Sequence, residues 1–597
     1  MRNLNNFWSI IVVLISFIML VFHVITNTLI LTSSMSYLSI HLTFVLVLLF
    51  ILVPATKKGI EQDKPTFIDI LFALLSIVFG IYVIYGYMKL DYVASSGSTL
   101  DIVMTIIAVS LIIEAARRMI GPAFTILVLI FVAYPFIGGL PGAFAHRGFT
   151  LSRMVTIYYF GPDGIYGVAL RVSAFYIYFF LLFGAFLTKT GIGQYFIDMA
   201  LSLTGRFKGG AAYASVLSSG FTGMITGSAA ANVVTTGTFT IPLMKYTGFK
   251  DYQAAATEAY ASAGGYITPP IMGASAFIIA LWLGIPYWDV VVAAIAPALL
   301  YYLGAGYSIY IFSNLNPDIK VMKKENIPRL KDVLSKSIFL LASPISLIVL
   351  LFLRFTITDS VLTALVVAII TSYIRKDTRI SSLKGFLDVS KEASIMALKI
   401  TPVCAAAGIV IASVGMTGLG IRISRIALSL ASYNVFLGVF LVGITCLVFG
   451  MGLPAVGAYV LVAILGAPAL VQMGIPKLVA HFTVLWYASL SNITPPVAIG
   501  AYVAAGVANC NVYKTAWAAC KMAIPAYILP FFFVLYPKII LGSLYEKLIG
   551  IILSSLIIFV VLSGIHGYFL VKLRNWQRFL CFVITVILFF IYAIILK

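Results

Sequence analysis

The residues best suited to chemistry lie in two apolar stretches that proline interrupts. Ile267-Thr268-Pro269-Pro270 recurs as Ile493-Thr494-Pro495-Pro496, at an offset of 226 residues. Two consecutive prolines remove two backbone donors and force the preceding residue out of the α region, so each stretch predicts a broken helix. The free carbonyl groups of a break suit Na⁺, and the N-terminus of the next half-helix suits a carboxylate.

A single proline kink is often only structural, but two at a shared offset favour a binding function. The segment Gly227–Gly237 precedes the first break and carries polar side chains at helical spacing: Ser228, Asn232, Thr235 and Thr236. Such neutral oxygens can coordinate a small cation or hydrogen bond to a carboxylate. The structural alternative is contact between helices, worth about 0.6–2 kcal/mol each.

The candidate residues for substrate and Na⁺ binding fall into two groups. We predict one Na⁺ ion near Ser228, Asn232 and Thr268 and another near Gly452, Ser491 and Thr494. The complete set for substrate and Na⁺ is Ser228, Asn232, Thr235, Thr236, Gly265, Thr268, Pro269, Gly452, Asn492, Thr494 and Pro495. The second hairpin tip, Gly450–Pro454, has few hydroxyl groups, so backbone carbonyls would supply its ligands.

Glu258 and His481 are ionisable groups inside apolar stretches. Such groups are costly in lipid and are functional candidates by default. Each lies near the start of a predicted broken helix, and a simple position at the membrane interface is an equal alternative. Because acidic residues are few within the spans, a relay of protons through carboxylates is poorly supported, which leaves Na⁺ as the preferred coupling ion.

The composition identifies a polytopic membrane protein. Of 597 residues, 62% are hydrophobic and 10% are charged, against about 25% charged in globular proteins. The net charge of +20 comes from Lys and Arg in short loops beside apolar spans, which indicates a cytoplasmic N-terminus and not nucleic-acid binding. Five cysteines are scattered without CxxC spacing, so they indicate neither disulfides nor a metal cluster.

The apolar runs predict helical passes that must position the two breaks. They lie near 8–31, 37–54, 66–87, 100–116, 121–140, 172–188, 258–281, 288–312, 337–353, 355–373, 400–416, 478–506, 522–537, 548–570 and 579–596, with hairpins over 209–244 and 433–471. The number of passes and the basic loops together predict two repeats inserted in opposite senses, about 172–312 and 400–537. The predicted regions are 1–120, a four-helix region; 121–540, the transport region; and 541–597, an extension.

Other classes of function lack their parts. No HExxH, GxSxG, P-loop or paired-cysteine pattern is present, which disfavours metalloprotease, serine hydrolase and ATPase chemistry. Channels usually carry filter loops or rings of charge, and neither is evident in the sequence. A membrane scaffold is a further alternative, and it predicts that Asn232→Ala or Thr494→Ala leaves transport unchanged.

Several segments closely resemble one transporter family. The segment from Gly227 to Lys245, with Ala261–Gly265, Pro269–Ala274, Glu114–Arg118 and Pro141–Gly148, is similar to fused permeases of TRAP transporters of the TAXI branch. The resemblance covers roughly 110–540. It implies a small four-helix subunit fused to a large one that moves as an elevator, coupled to Na⁺ and fed by an extracytoplasmic TAXI-type binding protein.

The fold expected overall is therefore an all-α polytopic membrane protein with inverted repeats and two re-entrant hairpins. The resemblance implies uptake of a small organic anion, typically a carboxylate, across a bacterial or archaeal plasma membrane. A dicarboxylate-type carrier that needs no binding protein is the alternative, and a passive channel is a weaker one. No organic cofactor and no nucleic acid is expected. Tyr266, Thr268 and Leu281 depart from residues frequent in the family, so the substrate stays open.

Overall fold

A computed structural model describes residues 1–29, 32–88, 98–161, 163–380, 382–430, 434–450, 453 and 455–595. Within these ranges every regular element is helical, apart from one isolated bridge between Tyr568 and Lys572. Among the described helical segments, 11 are long and apolar enough to cross a membrane. The prediction of an all-α polytopic protein is confirmed.

The helices that precede the first predicted hairpin are α1 (Asn6–Thr28), α2 (Ser34–Leu52), α3 (Phe67–Met88), α4 (Thr99–Met119), α5 (Pro122–Ala133), α6 (Leu151–Met154), α7 (Val168–Val172), α8 (Tyr178–Lys189) and α9 (Ile192–Thr204). A π-helical turn at Ser173–Ile177 makes α7 and α8 one continuous span. Pro122 begins α5, where its missing N–H costs nothing.

The first hairpin and the helices after it are α10 (Gly210–Thr226), α11 (Ala229–Tyr246), α12 (Asp251–Gly265), α13 (Ala274–Leu283), α14 (Tyr287–Leu315), α15 (Leu330–Ser337), α16 (Ala342–Phe352), α17 (Ile357–Ser372) and α18 (Leu383–Ala397). The legs of the hairpin, α10 and α11, meet at Gly227 and Ser228. Gly227 has a positive φ of 57°, and Ser228 caps α11 by accepting from the Ala231 N–H.

The remaining helices are α19 (Thr401–Thr417), α20 (Leu419–Leu430), α21 (Val435–Phe449), α22 (Ala455–Gln472), α23 (Lys477–Leu490), α24 (Ile499–Ala508), α25 (Val512–Met522), α26 (Ile524–Leu535), α27 (Lys538–Leu541), α28 (Leu544–His566) and α29 (Asn575–Ile595). The legs of the second predicted hairpin are α21 and α22. Most of its tip lies outside the described residues, including Gly452.

Three details of the predicted passes differ from the structure. Helix α12 begins at Asp251, not at 258, so Glu258 lies in mid-helix. The segment between the predicted passes 121–140 and 172–188 contains α6 and a π-helical turn, Val155–Tyr159, with Tyr159 buried. The apolar runs do not predict helix α18, because charged residues alternate with its buried apolar positions.

The chain forms two compact units. Unit 1 comprises Met1–Thr190, Val349–Ile426 and Gly452–Leu465, and unit 2 comprises Gly191–Ile348, Ala427–Met451 and Gly466–Lys597. The predicted boundaries at 120 and 540 concern the division into subunits and stay predictions.

Unit 1 contains a buried ionic network near the start of the chain. Asp69 on α3 pairs with Arg2 at 2.5 Å and with Arg118 on α4 at 2.6 Å, and all three side chains are buried. Removing one partner of such a pair strands the other charge, at a cost of about 3–5 kcal/mol. The network therefore ties the N-terminal residues to α3 and α4.

In unit 2, α10, α11 and α12 pack on one another, and α12 also packs on α24 and α25. Two glycines allow α10 and α12 to touch through their backbones. A Cβ atom on Gly223 would lie 2.4 Å from Gly265 Cα, and one on Gly265 would lie 2.6 Å from Gly223 Cα. Small residues permit such close approach between helices in membranes, and here it brings the first hairpin against the first predicted break.

The glycine crossing predicts the effect of Gly223→Ala. The added methyl group would meet backbone that cannot yield locally, and overpacking of this kind costs about 1–3 kcal/mol. We expect a lower unfolding temperature for the purified protein in detergent. Gly506→Ala on α24 is the matched control, since no described atom lies within 4 Å of its added Cβ. Equal unfolding temperatures of the two variants would contradict a close contact between α10 and α12 at Gly223.

Candidate functional site

The first break separates α12 from α13 where the sequence predicts it. Thr268 Oγ1 donates to the carbonyl of Gly264 at 2.6 Å and lies 3.0 Å from the hydroxyl of Tyr302 on α14. The Gly273 N–H donates to Tyr266 O at 2.7 Å and closes the loop. Tyr287 donates to the carbonyl of Pro270 at 2.8 Å. Side-chain hydroxyl groups and backbone N–H groups of the unit thus satisfy the carbonyls at the break.

The second break repeats this pattern between α23 and α24. Thr494 Oγ1 donates to Leu490 O at 2.7 Å and lies 2.6 Å from the hydroxyl of Tyr527 on α26. The Gly500 N–H donates to Asn492 O at 2.8 Å. Tyr502 donates to the carbonyl of Pro496. Each break therefore has a threonine that bonds back to its own helix and a tyrosine that reaches it from a later helix.

The correspondence extends to the backbone. Pro269–Pro270 and Pro495–Pro496 are both cis peptide bonds. The internal sequence repeat reveals the two Thr-Pro-Pro motifs but not the tyrosines that contact them, because Tyr302 and Tyr527 lie on later helices. The duplicated broken helix is present in the structure.

The two breaks and the tip of the first hairpin lie together in unit 2. Ser489 Oγ on α23 donates to Ala263 O on α12 at 2.8 Å. A Cβ atom on Gly227 would lie 2.9 Å from Met272 O, and one on Gly500 would lie 3.9 Å from Ala229 Cβ. The first hairpin tip therefore contacts residues that follow both breaks.

Asn232 is the candidate whose environment points most directly to a ligand. Its side chain is completely buried, and its Nδ2 group donates to Ser219 O at 2.7 Å. That bond fixes the orientation of the amide, since only the NH₂ group can donate. Asn232 Oδ1 has no hydrogen-bond partner among the described residues. Its Nδ2 atom lies close to Gly223 and Gly265, at the glycine crossing.

The other candidates around the first break differ in exposure. Ser228 is exposed, whereas Thr235 is half-buried and donates to Ala231 O at 3.0 Å. Thr236 is buried, and its Oγ1 atom lies 2.5 Å from Glu258 Oε1 and 2.9 Å from Asn232 O. Gly265 forms the close backbone contact with Gly223 between α12 and α10. A hydroxyl group that donates its single proton keeps lone pairs for a cation, so these bonds leave ligand capacity.

Around the second break, Ser491 donates to Ala488 O at 2.8 Å and Asn492 Nδ2 donates to Ser489 O at 3.1 Å. Both side chains are buried. Helix α21 packs on α23, and a Cβ atom on Gly450 would lie 2.5 Å from Ser491 Oγ. The predicted role of Gly452 falls outside the described residues.

Glu258 is the ionisable residue for which the sequence leaves two alternatives, a functional role or a simple position at the membrane interface. It is completely buried within the protein, in the middle of α12. Its carboxylate accepts hydrogen bonds from five hydroxyl groups: those of Ser215, Ser219, Thr236, Thr240 and Ser262. The sequence does contain a signal for this cluster, because each of α10, α11 and α12 carries a pair of polar residues four positions apart. His481 is half-buried, with its ring 5.9 Å from that of Trp282.

Comparison with known proteins identifies the family. The model of the DctM component of tripartite ATP-independent periplasmic transporters matches residues 106–548, which include both breaks and both hairpins. The chain belongs to this family. It is a multi-pass TRAP transporter permease, and permeases of this family take up solutes with extracytoplasmic substrate-binding proteins.

Individual relatives agree with this assignment. The C4-dicarboxylate TRAP transporter large permease protein DctM of Pseudomonas aeruginosa is 25% identical over 389 residues, covering 62% of this chain and 87% of the relative. The isethionate TRAP transporter permease protein DctMQ of Oleidesulfovibrio alaskensis is 23% identical over 351 residues, 56% of this chain and 52% of the relative. Residues ahead of 106 fit the small-subunit region of a fused TRAP permease.

The tyrosine–threonine pairs predict the effect of Tyr527→Phe. Removing the hydroxyl group deletes its contact with Thr494 and leaves polar atoms at the second break less well satisfied, which costs about 1 kcal/mol. We expect a lower unfolding temperature in detergent, and a similar loss for Tyr302→Phe at the first break. Tyr545→Phe is the control, because Tyr545 is 73% exposed. If all three variants have the same unfolding temperature, the hydroxyl groups of Tyr302 and Tyr527 do not stabilise the breaks.

Proposed function

We propose that this permease carries out Na⁺-coupled, secondary active uptake of a small organic anion of the carboxylate class. A TAXI-type extracytoplasmic binding protein delivers the substrate to the permease in a bacterial or archaeal plasma membrane, with the N-terminus of the chain in the cytoplasm. The buried, unpartnered Asn232 Oδ1 beside the paired breaks is the observation that carries this proposal.

The chemistry of the site supports Na⁺ as the coupling ion. The oxygens of Asn232, of Asn492 and of the hydroxyl groups and backbone carbonyls beside them are neutral, and the nearby carboxylate of Glu258 contacts Thr236. Unwound backbone carbonyls and neutral side chains at broken helices are typical ligands of Na⁺ in secondary transporters. One ion is proposed near Ser228, Asn232 and Thr268, and one near Gly452, Ser491 and Thr494. Thr268 and Thr494 donate to carbonyls and keep oxygen lone pairs for this purpose.

The anionic nature of the substrate has separate support. Helices α13 and α24 begin directly after the two breaks, and helix N-termini favour negative charge. The names of the two relatives above specify a C4-dicarboxylate and isethionate, which are both small organic anions. A substrate carboxylate and bound Na⁺ would neutralise each other in a site whose candidate ligands are uncharged groups. An elevator-type movement of the transport region would then carry them across the membrane.

Reconstituted full-length protein can test the coupling. In proteoliposomes with the binding protein outside, we expect labelled succinate or isethionate to accumulate above its external concentration only with an inward Na⁺ gradient. Accumulation that persists when choline replaces Na⁺ would contradict Na⁺ coupling. Uptake without the binding protein would favour the dicarboxylate-type carrier, and equilibration without accumulation would favour a channel.

The assignment of Asn232 predicts the effect of Asn232→Ala. Losing a buried ligand of a cation costs about 1.5–3 kcal/mol, so Na⁺ affinity should fall at least about tenfold. We expect the Na⁺-induced rise in unfolding temperature to shift to higher Na⁺ concentration and uptake to be lost. Thr238→Val is the matched control, since Thr238 is an exposed residue on the same helix. An unchanged Na⁺ response in Asn232→Ala would remove this residue from the site.

A further inference from the structure

A cavity of about 130 Å³ lies in unit 2, at the end where α12 begins. Its walls come from α12, from the turn before α12, and from α14 and α25: Phe249, Tyr252, Gln253, Thr257, Ile309, Phe312, Ala518, Lys521 and Met522. Helix α12 packs on both α14 and α25. The cavity therefore lies beside the first half of the helix that leads to the first break, and none of its wall residues belongs to the proposed Na⁺ and substrate sites.

The interior of the cavity is mainly apolar. Ile309 and Met522 are buried. Thr257 donates its hydroxyl proton to Gln253 O at 2.9 Å, and Gln253 Oε1 accepts from the Lys250 N–H at 3.3 Å. These polar groups are thus already bonded within the N-terminal part of α12. An apolar cavity of about 150 Å³ stays dry and takes up small apolar molecules, so the interior suits a hydrocarbon segment.

The rim of the cavity is positively charged. Lys521 forms part of the wall, and Lys514 lies seven positions earlier on α25, so both exposed side chains project from the same face of the helix. Neither lysine forms an ion pair with a residue that the structure describes. Asp251, at the start of α12, is instead paired with Lys245 at 3.1 Å. The rim therefore favours an anionic group.

A residue of the C-terminal extension stands beside the cavity. The ring of His566, at the end of α28, lies 4.9 Å from the ring of Phe312 in the cavity wall. Lys521 and Arg578 are both close enough to act electrostatically on His566. His566 Nε2 is buried and has no hydrogen-bond partner among the described residues. The extension beyond residue 548, where the match to the family ends, thus contributes a polar group to this region.

Helix α25 has the composition of a helix at a membrane surface. Tyr513 and Trp517, one turn apart, are 62% and 66% exposed. Tyrosine and tryptophan are enriched where the hydrocarbon of a membrane meets the headgroups, and lysines beside them extend their charged ends toward the headgroups. The mouth of the cavity is therefore placed at the depth of lipid phosphate groups.

Only a molecule that joins an apolar chain to an anionic group fits both parts of this cavity. A free phosphate or carboxylate ion would leave the apolar interior empty, and a neutral lipid would leave the two lysines without a counter-ion. Basic pockets between transmembrane helices bind anionic lipid headgroups.

We propose that this cavity binds an anionic phospholipid, with part of one acyl chain in the cavity and the phosphate group on Lys521 and Lys514. The bound lipid fills the space between α12, α14 and α25 and holds the first half of the broken helix against its neighbours. The proposal goes beyond the proposed function, and its tests need neither Na⁺ nor a transported substrate.

Thermal unfolding of the purified, delipidated full-length protein tests the class of ligand. A ligand that binds only the folded state stabilises it, so we expect dioleoylphosphatidylglycerol to raise the unfolding temperature in a concentration-dependent manner. Dioleoylphosphatidylcholine, which has the same chains but no net charge, should give a much smaller rise, and inorganic phosphate should give none. An equal rise with the two lipids, or with inorganic phosphate, would overturn the proposal.

A charge variant tests the position of the phosphate group. Lys521→Gln removes a charge-assisted contact, so the apparent Kd for dioleoylphosphatidylglycerol should rise about tenfold. Lys477→Gln is the matched control, because Lys477 is an exposed lysine of unit 2 that does not line the cavity. Equal affinities of the two variants would refute binding of the phosphate group at Lys521.

A cavity-filling variant tests the position of the acyl chain. Ala518→Leu places a larger apolar side chain in the wall, and substitutions of this kind commonly stabilise a protein. The lipid-free variant should unfold at the wild-type temperature or higher, while the rise caused by dioleoylphosphatidylglycerol is lost. Ala133→Leu is the control, since Ala133 is exposed on α5 in unit 1. A full lipid response in Ala518→Leu would exclude the cavity as the binding site.

Discussion

The backbone groups freed where a helix breaks inside an apolar protein must find partners within the protein, and the rest of unit 2 follows from this constraint. Water is scarce at membrane depth, so an unsatisfied carbonyl costs several kcal/mol. Thr268 and Thr494 bond to their own helices, and Tyr302 and Tyr527 reach them from later ones. Asn232 Oδ1, beside the first break, is in contrast a buried oxygen with no hydrogen-bond partner among the described residues.

The same constraint explains the small residues around the site. Gly223 and Gly265 let the backbones of α10 and α12 touch, and Gly227 turns the hairpin beside Met272 O. Larger residues would push the hairpin away from the breaks. Close packing of this kind replaces the hydrophobic driving force that is absent between helices in lipid.

The protein buries carboxylates in two different ways. Asp69 in unit 1 is paired with two arginines, which fixes its charge and makes it part of the scaffold. Glu258 in unit 2 is surrounded by the hydroxyl groups of five buried residues. The carboxylate of Asp69 is neutralised by ion pairs, whereas the carboxylate of Glu258 is held by hydrogen bonds from uncharged hydroxyl groups among the described residues.

Sequence alone determined the features that depend on local chemistry and on repetition. Hydropathy placed the spans, consecutive prolines placed both breaks, and the offset of 226 between the Thr-Pro-Pro motifs revealed their duplication. Tertiary structure decided which side chains meet. Glu258 has partners on α10 and α11 up to 43 positions away, and Tyr302 lies 34 positions from Thr268. These contacts depend on how α10 and α12 cross at Gly223 and Gly265. The periodicity of a sequence shows which face of a helix is polar, but it does not show which other helix packs against that face.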